Sequence, residues 1–71
     1  MARERTRYEI VIRGRLSPRF GRAFEGLEVR PGEGETVLAG DFADQSQLHG
    51  VLDRIRDFGI ELVSLHAVHR A

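Results

Sequence analysis

Only one stretch of this chain has a helical period long enough to build a full helix, and that limits what every other segment can become. After Asp44, the residues Leu48, Val51, Leu52, Ile55 and Phe58 recur at helical spacing, and Gly59 follows. An acidic N-cap, an apolar residue every three or four positions and a glycine stop together predict an amphipathic helix. At about 100° per residue the five side chains span an arc of about 120°, one buried stripe. Asp53, Asp57 and Gly50 lie opposite it, and His49 and Arg56 flank it. The other apolar segments must bury themselves against that single stripe.

Those segments read as strands. From Thr6 to Leu16 the chain alternates, with Tyr8, Ile10 and Ile12 pointing one way and Arg7, Glu9, Arg13 and Arg15 the other. That period of two marks a half-buried strand, and Val11 is the apolar exception on its polar side. Leu27 to Arg30 and Glu35 to Asp41 flank Pro31-Gly32-Glu33-Gly34, a turn by composition, so they form a hairpin. Ile60 to His69 is a last strand. Strict alternation sets Ile60, Leu62 and Val68 on one face and Val63, Leu65 and Ala67 on the other, so both faces are apolar. Between the first strand and the hairpin, Ser17-Pro18 starts a helix that Gly21 and Gly26 limit to one or two turns, anchored by Phe20 and Phe24.

The order is βαββαβ, that of a ferredoxin-like two-layer α+β sandwich with an antiparallel four-stranded sheet and an abbreviated first helix. Without that helix the order becomes strand, hairpin, helix, strand, a ββαβ-type arrangement with much the same sheet. The 71 residues form a single domain, 1–71, whose polar residues 1–5 are expected to fray. One helix and a stub cannot cover both faces of four strands. The open face, with Val11 and one side of the last strand, needs a partner, and a core this small gains from oligomerisation. A homodimer is therefore expected, with Val11, Gly50, Val63, Leu65 and Ala67 as interface candidates. Glycines at 14, 40 and 50 permit close approach; Gly50, costly by about 1 kcal/mol inside a helix, suits a second chain passing nearby.

Charge supports self-complementarity. Eleven basic and eleven acidic residues cancel, yet residues 1–22 carry seven arginines against two glutamates, and residues 23–71 carry four arginines against nine acids. A chain without net charge has little long-range attraction for nucleic acid. Every basic residue is arginine, and lysine and asparagine are absent, as a GC-rich coding sequence produces. No cysteine is present, which removes disulfides, thiolate metal sites and a cysteine nucleophile. No apolar run reaches the length of a membrane span, and Met1-Ala2-Arg3-Glu4-Arg5 has no apolar signal core, so a cytoplasmic protein without membrane contact is expected.

Catalytic constellations are lacking. His66 and His69, three apart on a strand, point to opposite faces and cannot readily share a metal. His49 and Asp53 stand one helical turn apart, as do Asp53 and Asp57, in each case on a solvated surface. Ser17 and Ser46 sit at or near a helix start, where a hydroxyl caps backbone N–H groups, and Ser64 stands on the last strand. No catalytic, metal or cofactor site is predicted, and the chain is read as non-enzymatic. Arg13, Arg15, Arg19 and Arg22 could surround one anion, since planar guanidiniums suit phosphate or carboxylate. Arg13 to Gly21 is similar to the phosphate-binding loop of acylphosphatases, which share this fold. The glycine spacing differs, and the asparagine that orients their water is missing, so their activity is not implied. RNA-binding domains of this fold stack bases on strand aromatics, and here Tyr8 alone stands on the first strand.

Two resemblances bear on association. The element order is similar to that of ACT-type regulatory domains, which pair through their sheets and bind effectors at the interface; this is likeness of architecture. Over nearly the whole chain, the frame Tyr8-Glu9-Ile10, Arg13-Gly14-Arg15-Leu16-Ser17, Phe24-Glu25-Gly26, Glu35-Thr36-Val37-Leu38, Asp44 to Arg54 and Gly59 to Ser64 resembles a group of short bacterial proteins from high-GC organisms. That group has no assigned activity. The resemblance implies a domain that stands alone and carries over no site residues. The expectation is a self-associating interaction module, able to engage a larger protein partner, with a small-effector or anion-binding domain at Arg13 to Arg22 as the alternative.

Overall fold

The computed structural model describes residues 5–68. The predicted strand residue His69 and most of the segment 1–5 lie outside that range. In chain order the elements are β1 (Thr6–Arg13), α1 (Pro18–Gly21), a 3-10 turn (Arg22–Phe24), β2 (Glu28–Pro31), β3 (Glu35–Phe42), α2 (Gln45–Asp57) and β4 (Leu62–Val68). The four strands form one sheet in the order β2-β3-β1-β4, with every neighbouring pair antiparallel. This is the ferredoxin-like α+β arrangement. Because β1 and β3 occupy the centre, the link from β1 to β2 must cross β3, and the link from β3 to β4 must cross β1.

The two central strands pair over their whole length, from Thr6↔Phe42 to Arg13↔Glu35. On the helix side, Ile10 faces Leu38 and Ile12 faces Thr36. The core there consists of Ile10, Ile12, Leu38 and Phe42 from the sheet, Leu48, Val51 and Ile55 from α2, and Phe24 from the 3-10 turn. Tyr8, half-buried, meets Phe42 edge to face at 5.8 Å. Thr36 is the one buried polar residue of the described chain, and its Oγ1 donates to Gly14 O at 2.7 Å, so no hydrogen-bonding capacity is left stranded.

Local chemistry sets the helix ends. Ser17 Oγ accepts from Phe20 N and Pro18 occupies the first helical position, as the Ser-Pro pair predicts. Asp44 caps α2 by accepting from Gln47 N at 3.0 Å, while Gln47 Oε1 accepts from Ala43 N. At the other end Gly59 takes φ +72°, with Gly59 N donating to Arg56 O and Ile60 N to Ile55 O. That is a Schellman close, with Ile60 placed to pack on Ile55. A four-residue helix cannot hold itself together. Here α1 is clamped by Phe20 stacked on Phe58 at 4.7 Å, by Phe24 edge-on to Phe58 at 6.1 Å, and by Arg54 Nη1 donating to Ala23 O at 3.0 Å.

The last strand departs from strict alternation. Its register with β1 shifts between Val11 and Ile12, leaving Val63 without a partner. A bulge of this kind slips the period by one residue. Leu62 pairs with Ile12, Leu65 with Ile10 and Ala67 with Tyr8, all on the helix side, whereas Ser64, His66 and Val68 share the open face with Val11, Glu9 and Arg7. The predicted separation of Leu62 from Leu65 is thus corrected.

Gly40 is required by its neighbour. A Cβ there would stand 2.5 Å from Leu27 Cδ2, so Leu27 fills the space above a strand position that has no side chain. Gly40→Val is expected to lower stability by about 1–3 kcal/mol in urea denaturation, the usual cost of overpacking. Leu27→Ala in the same chain should recover part of that loss.

Candidate functional site

The face of the sheet away from the helices is covered by ions. Across it, Glu28, Ala39, Glu9 and His66 form one lateral row, and Arg30, Val37, Val11 and Ser64 form the next. Ala39 is 1% exposed although no helix lies over it. Small enough to act as a floor, it lets side chains of β1 and β2 meet above β3. Arg7 Nη2 reaches Glu28 Oε2 at 3.0 Å, and Arg30 Nη2 reaches Glu9 Oε2 at 2.9 Å. His66 Nε2 lies 3.2 Å from the other Glu9 oxygen. The hydrogen bond from Arg30 holds the Glu9 carboxyl below its ordinary value; burial opposes this, and the His66 contact adds to it. Aliphatic stems of such side chains shield apolar surface while their heads stay wet.

The two edges of the sheet are unequal. On one side β2 is short, bears Glu28, Arg30 and a 42% exposed Val29, and ends in Pro31. Proline and charge are how edges resist pairing. On the other side β4 has seven residues and none that is always charged, and Leu62, Val63 and Leu65 are 43%, 40% and 38% exposed. Arg13 N donates to Glu61 O and Gly14 N to Gly34 O, so main-chain groups of odd-numbered β1 residues point towards β4. Alternation along the ladder then bonds Ser64, His66 and Val68 to β1 and turns the N–H and C=O groups of Leu65 and Ala67 outward. Among the described residues no strand lies beyond them. Beside this edge, on the helix side, Leu52, Ile55, Ile60 and Leu62 line a groove of about 510 Å³, with the Asp53–Arg56 ion pair (3.1 Å) at its rim.

The expected interface residues divide. Val63, Leu65 and Ala67 come together along β4. Val11, half-buried, belongs to the opposite face from Leu65 and Ala67, and Gly50 sits on α2 with nothing within 4 Å of a Cβ placed there. The arginines divide as well. Arg13 Nε pairs with Glu61 at 3.2 Å. Arg19 and Arg22 line a shallow pocket with Pro18, and Arg15 is exposed outside that lining. Asp53 turns to Arg56 rather than to His49. Among the described residues no three histidines or carboxylates are placed to hold a metal, and no helix is long and apolar enough to cross a membrane.

Fold and surface together define a small α+β sandwich with one blunted and one apolar edge. A family model, described as Domain of unknown function (DUF8691), matches residues 7–66, and the chain belongs to that family. No curated protein and no solved structure matches it.

The ionic cover escaped the sequence reading, although a signal for it exists. Arg7-x-Glu9 and Glu28-x-Arg30 are mirror-signed pairs on parallel strands, separated by the small Ala39. Glu9→Gln is expected to lower stability at neutral pH. A depressed native value means that this stabilisation is complete above the ordinary 4.5 and fades as pH falls through the lower native one. The urea-midpoint gap between the two proteins should therefore close in acid. Gly50→Ala should raise stability by about 1 kcal/mol, because helix propensity improves and nothing is displaced; thermal melts read this directly.

Proposed function

We propose that this protein is a non-enzymatic module whose business is association with a second copy of itself. The observation that carries this reading is the uncharged β4 edge with Leu62, Val63 and Leu65 exposed, set against a β2 edge blunted by Pro31. Exposed strand edges of that composition invite pairing. The ion-covered open face moves the expected contact from the face to the edge. A larger protein partner could join the same module, and the setting we favour is the cytoplasm of a high-GC bacterium, where a cysteine-free, arginine-rich chain is at home.

Absolute mass by light scattering after size exclusion tests the proposal. At low and at high salt the mass should be twice the 8.0 kDa of one chain, since apolar and main-chain contacts resist screening. A single-chain mass at both would overturn it. An anion-binding domain is the second reading, favoured by Arg19 and Arg22 flanking one pocket with no carboxylate within 4.0 Å among the described residues. Phosphate titration would then move the arginine side-chain NMR signals.

A further inference from the structure

We infer that β4 pairs antiparallel with β4 of a second copy, about a two-fold axis through Leu65, joining the two sheets into one of twice the width. This rests on the self-association reading and gives it a geometry. With the axis at Leu65, the outward N–H and C=O groups of that residue exchange two hydrogen bonds with Leu65 of the second copy. The blunted β2 edge explains why the occupant is one more copy and not an endless row. Pairing of β4 with β2 would need the N–H that Pro31 lacks and would set a seven-residue strand against a four-residue one. A contact of β4 with itself is isologous and closes at two.

The centre follows from side-chain direction. Residues facing each other across antiparallel strands share a face of the sheet, so the axis must pass through a residue and not between two. Placed at Leu65, it sets Leu65 against its own copy on the helix side and Ser64 against His66 on the ionic side. Placed at His66, it would set two imidazoles against each other, each already engaged by a Glu9, in place of the apolar Leu65 pair. Pairing of one edge strand falls short of the roughly 1,200–2,000 Å² that a stable interface buries. The exposed Leu62 and Val63 and the groove walls Leu52 and Ile60 lie beside the axis and supply further apolar surface.

The chain has no cysteine, so Leu65→Cys introduces the sole thiol. Facing residues of a hydrogen-bonded antiparallel pair have Cα atoms about 5.5 Å apart, inside the range of about 4.4–6.8 Å that a disulfide spans. Mild oxidation of Leu65→Cys should give a covalent dimer, and Glu33→Cys at the hairpin tip should not. Faster cross-linking of His66→Cys would overturn the register. If the unmodified protein has a doubled mass but neither thiol cross-links, edge pairing is overturned while self-association stands; a single-chain mass overturns both. Ala67→Pro gives an independent readout, because it removes an N–H that β1 does not use. It should yield a monomer with an unchanged circular dichroism spectrum, and a persistent dimer with that spectrum would overturn the pairing.

Discussion

Ile10 and Leu38 face each other midway along the two central strands, and both are withdrawn completely from water. Much of the remaining structure is arranged around that contact. It fixes the register of β1 on β3, and register in a sheet decides which side chains are inside, because a slip of one residue exchanges the faces. With Ile10 inward, Ile12 and Tyr8 are inward as well, α2 has a surface on which to lay Leu48, Val51 and Ile55, and Arg7, Glu9 and Arg13 are committed to the other side. Both helical connections then cross a central strand, and the edges are left to β2 and β4.

The two faces of this sheet meet the same need by different physics. On the helix side coverage is apolar and close-packed, with Phe58 reaching across to clamp a stub helix that could not otherwise persist. On the other side coverage is ionic. Solvent-exposed ion pairs contribute little energy each, so the Arg7–Glu28 and Arg30–Glu9 bridges matter mainly as a roof of aliphatic stems over Ala39 and Val37. A face covered this way exposes few large apolar side chains; those that are exposed stand on the two edge strands, at Val29, Leu62, Val63 and Leu65, and at Phe58.

The local features of this fold were legible in the sequence. Asp44 and Gly59 bound α2 through hydrogen bonds to residues within five positions, Ser17-Pro18 does the same for α1, and Tyr8, Ile10 and Ile12 display their inward direction by period alone. What escaped the sequence depends on residues distant in the chain. The phase of β4 changes at Val63 because its pairing with β1 shifts there, and nothing between Ile60 and His69 announces the shift. The ionic roof spans three strands, so Glu9 and Arg30 look like ordinary solvated charges until the sheet order is known. The arginines clustered in sequence from 13 to 22 are drawn apart because Arg13 ends a strand beside Glu61 while Arg19 and Arg22 ride on a helix and the turn that follows it.

The clamp on α1 divides the domain unequally. Between Gly14 and Leu27 the chain takes no part in the strand pairing of the sheet; it is attached by hydrogen bonds of Gly14 to Thr36 and Gly34, by Leu27 over Gly40, by Phe24 in the core, by the aromatic contacts to Phe58 and by the Arg54–Ala23 hydrogen bond. None of these attachments is a ladder bond between strands. The segment from Gly14 to Leu27 thus covers one half of the sheet without belonging to it, and Phe24 joins it to the core that α2 shares. Mutational tolerance should follow the same seam, with length and sequence freer at the exposed positions of the cover than at the residues that fasten it.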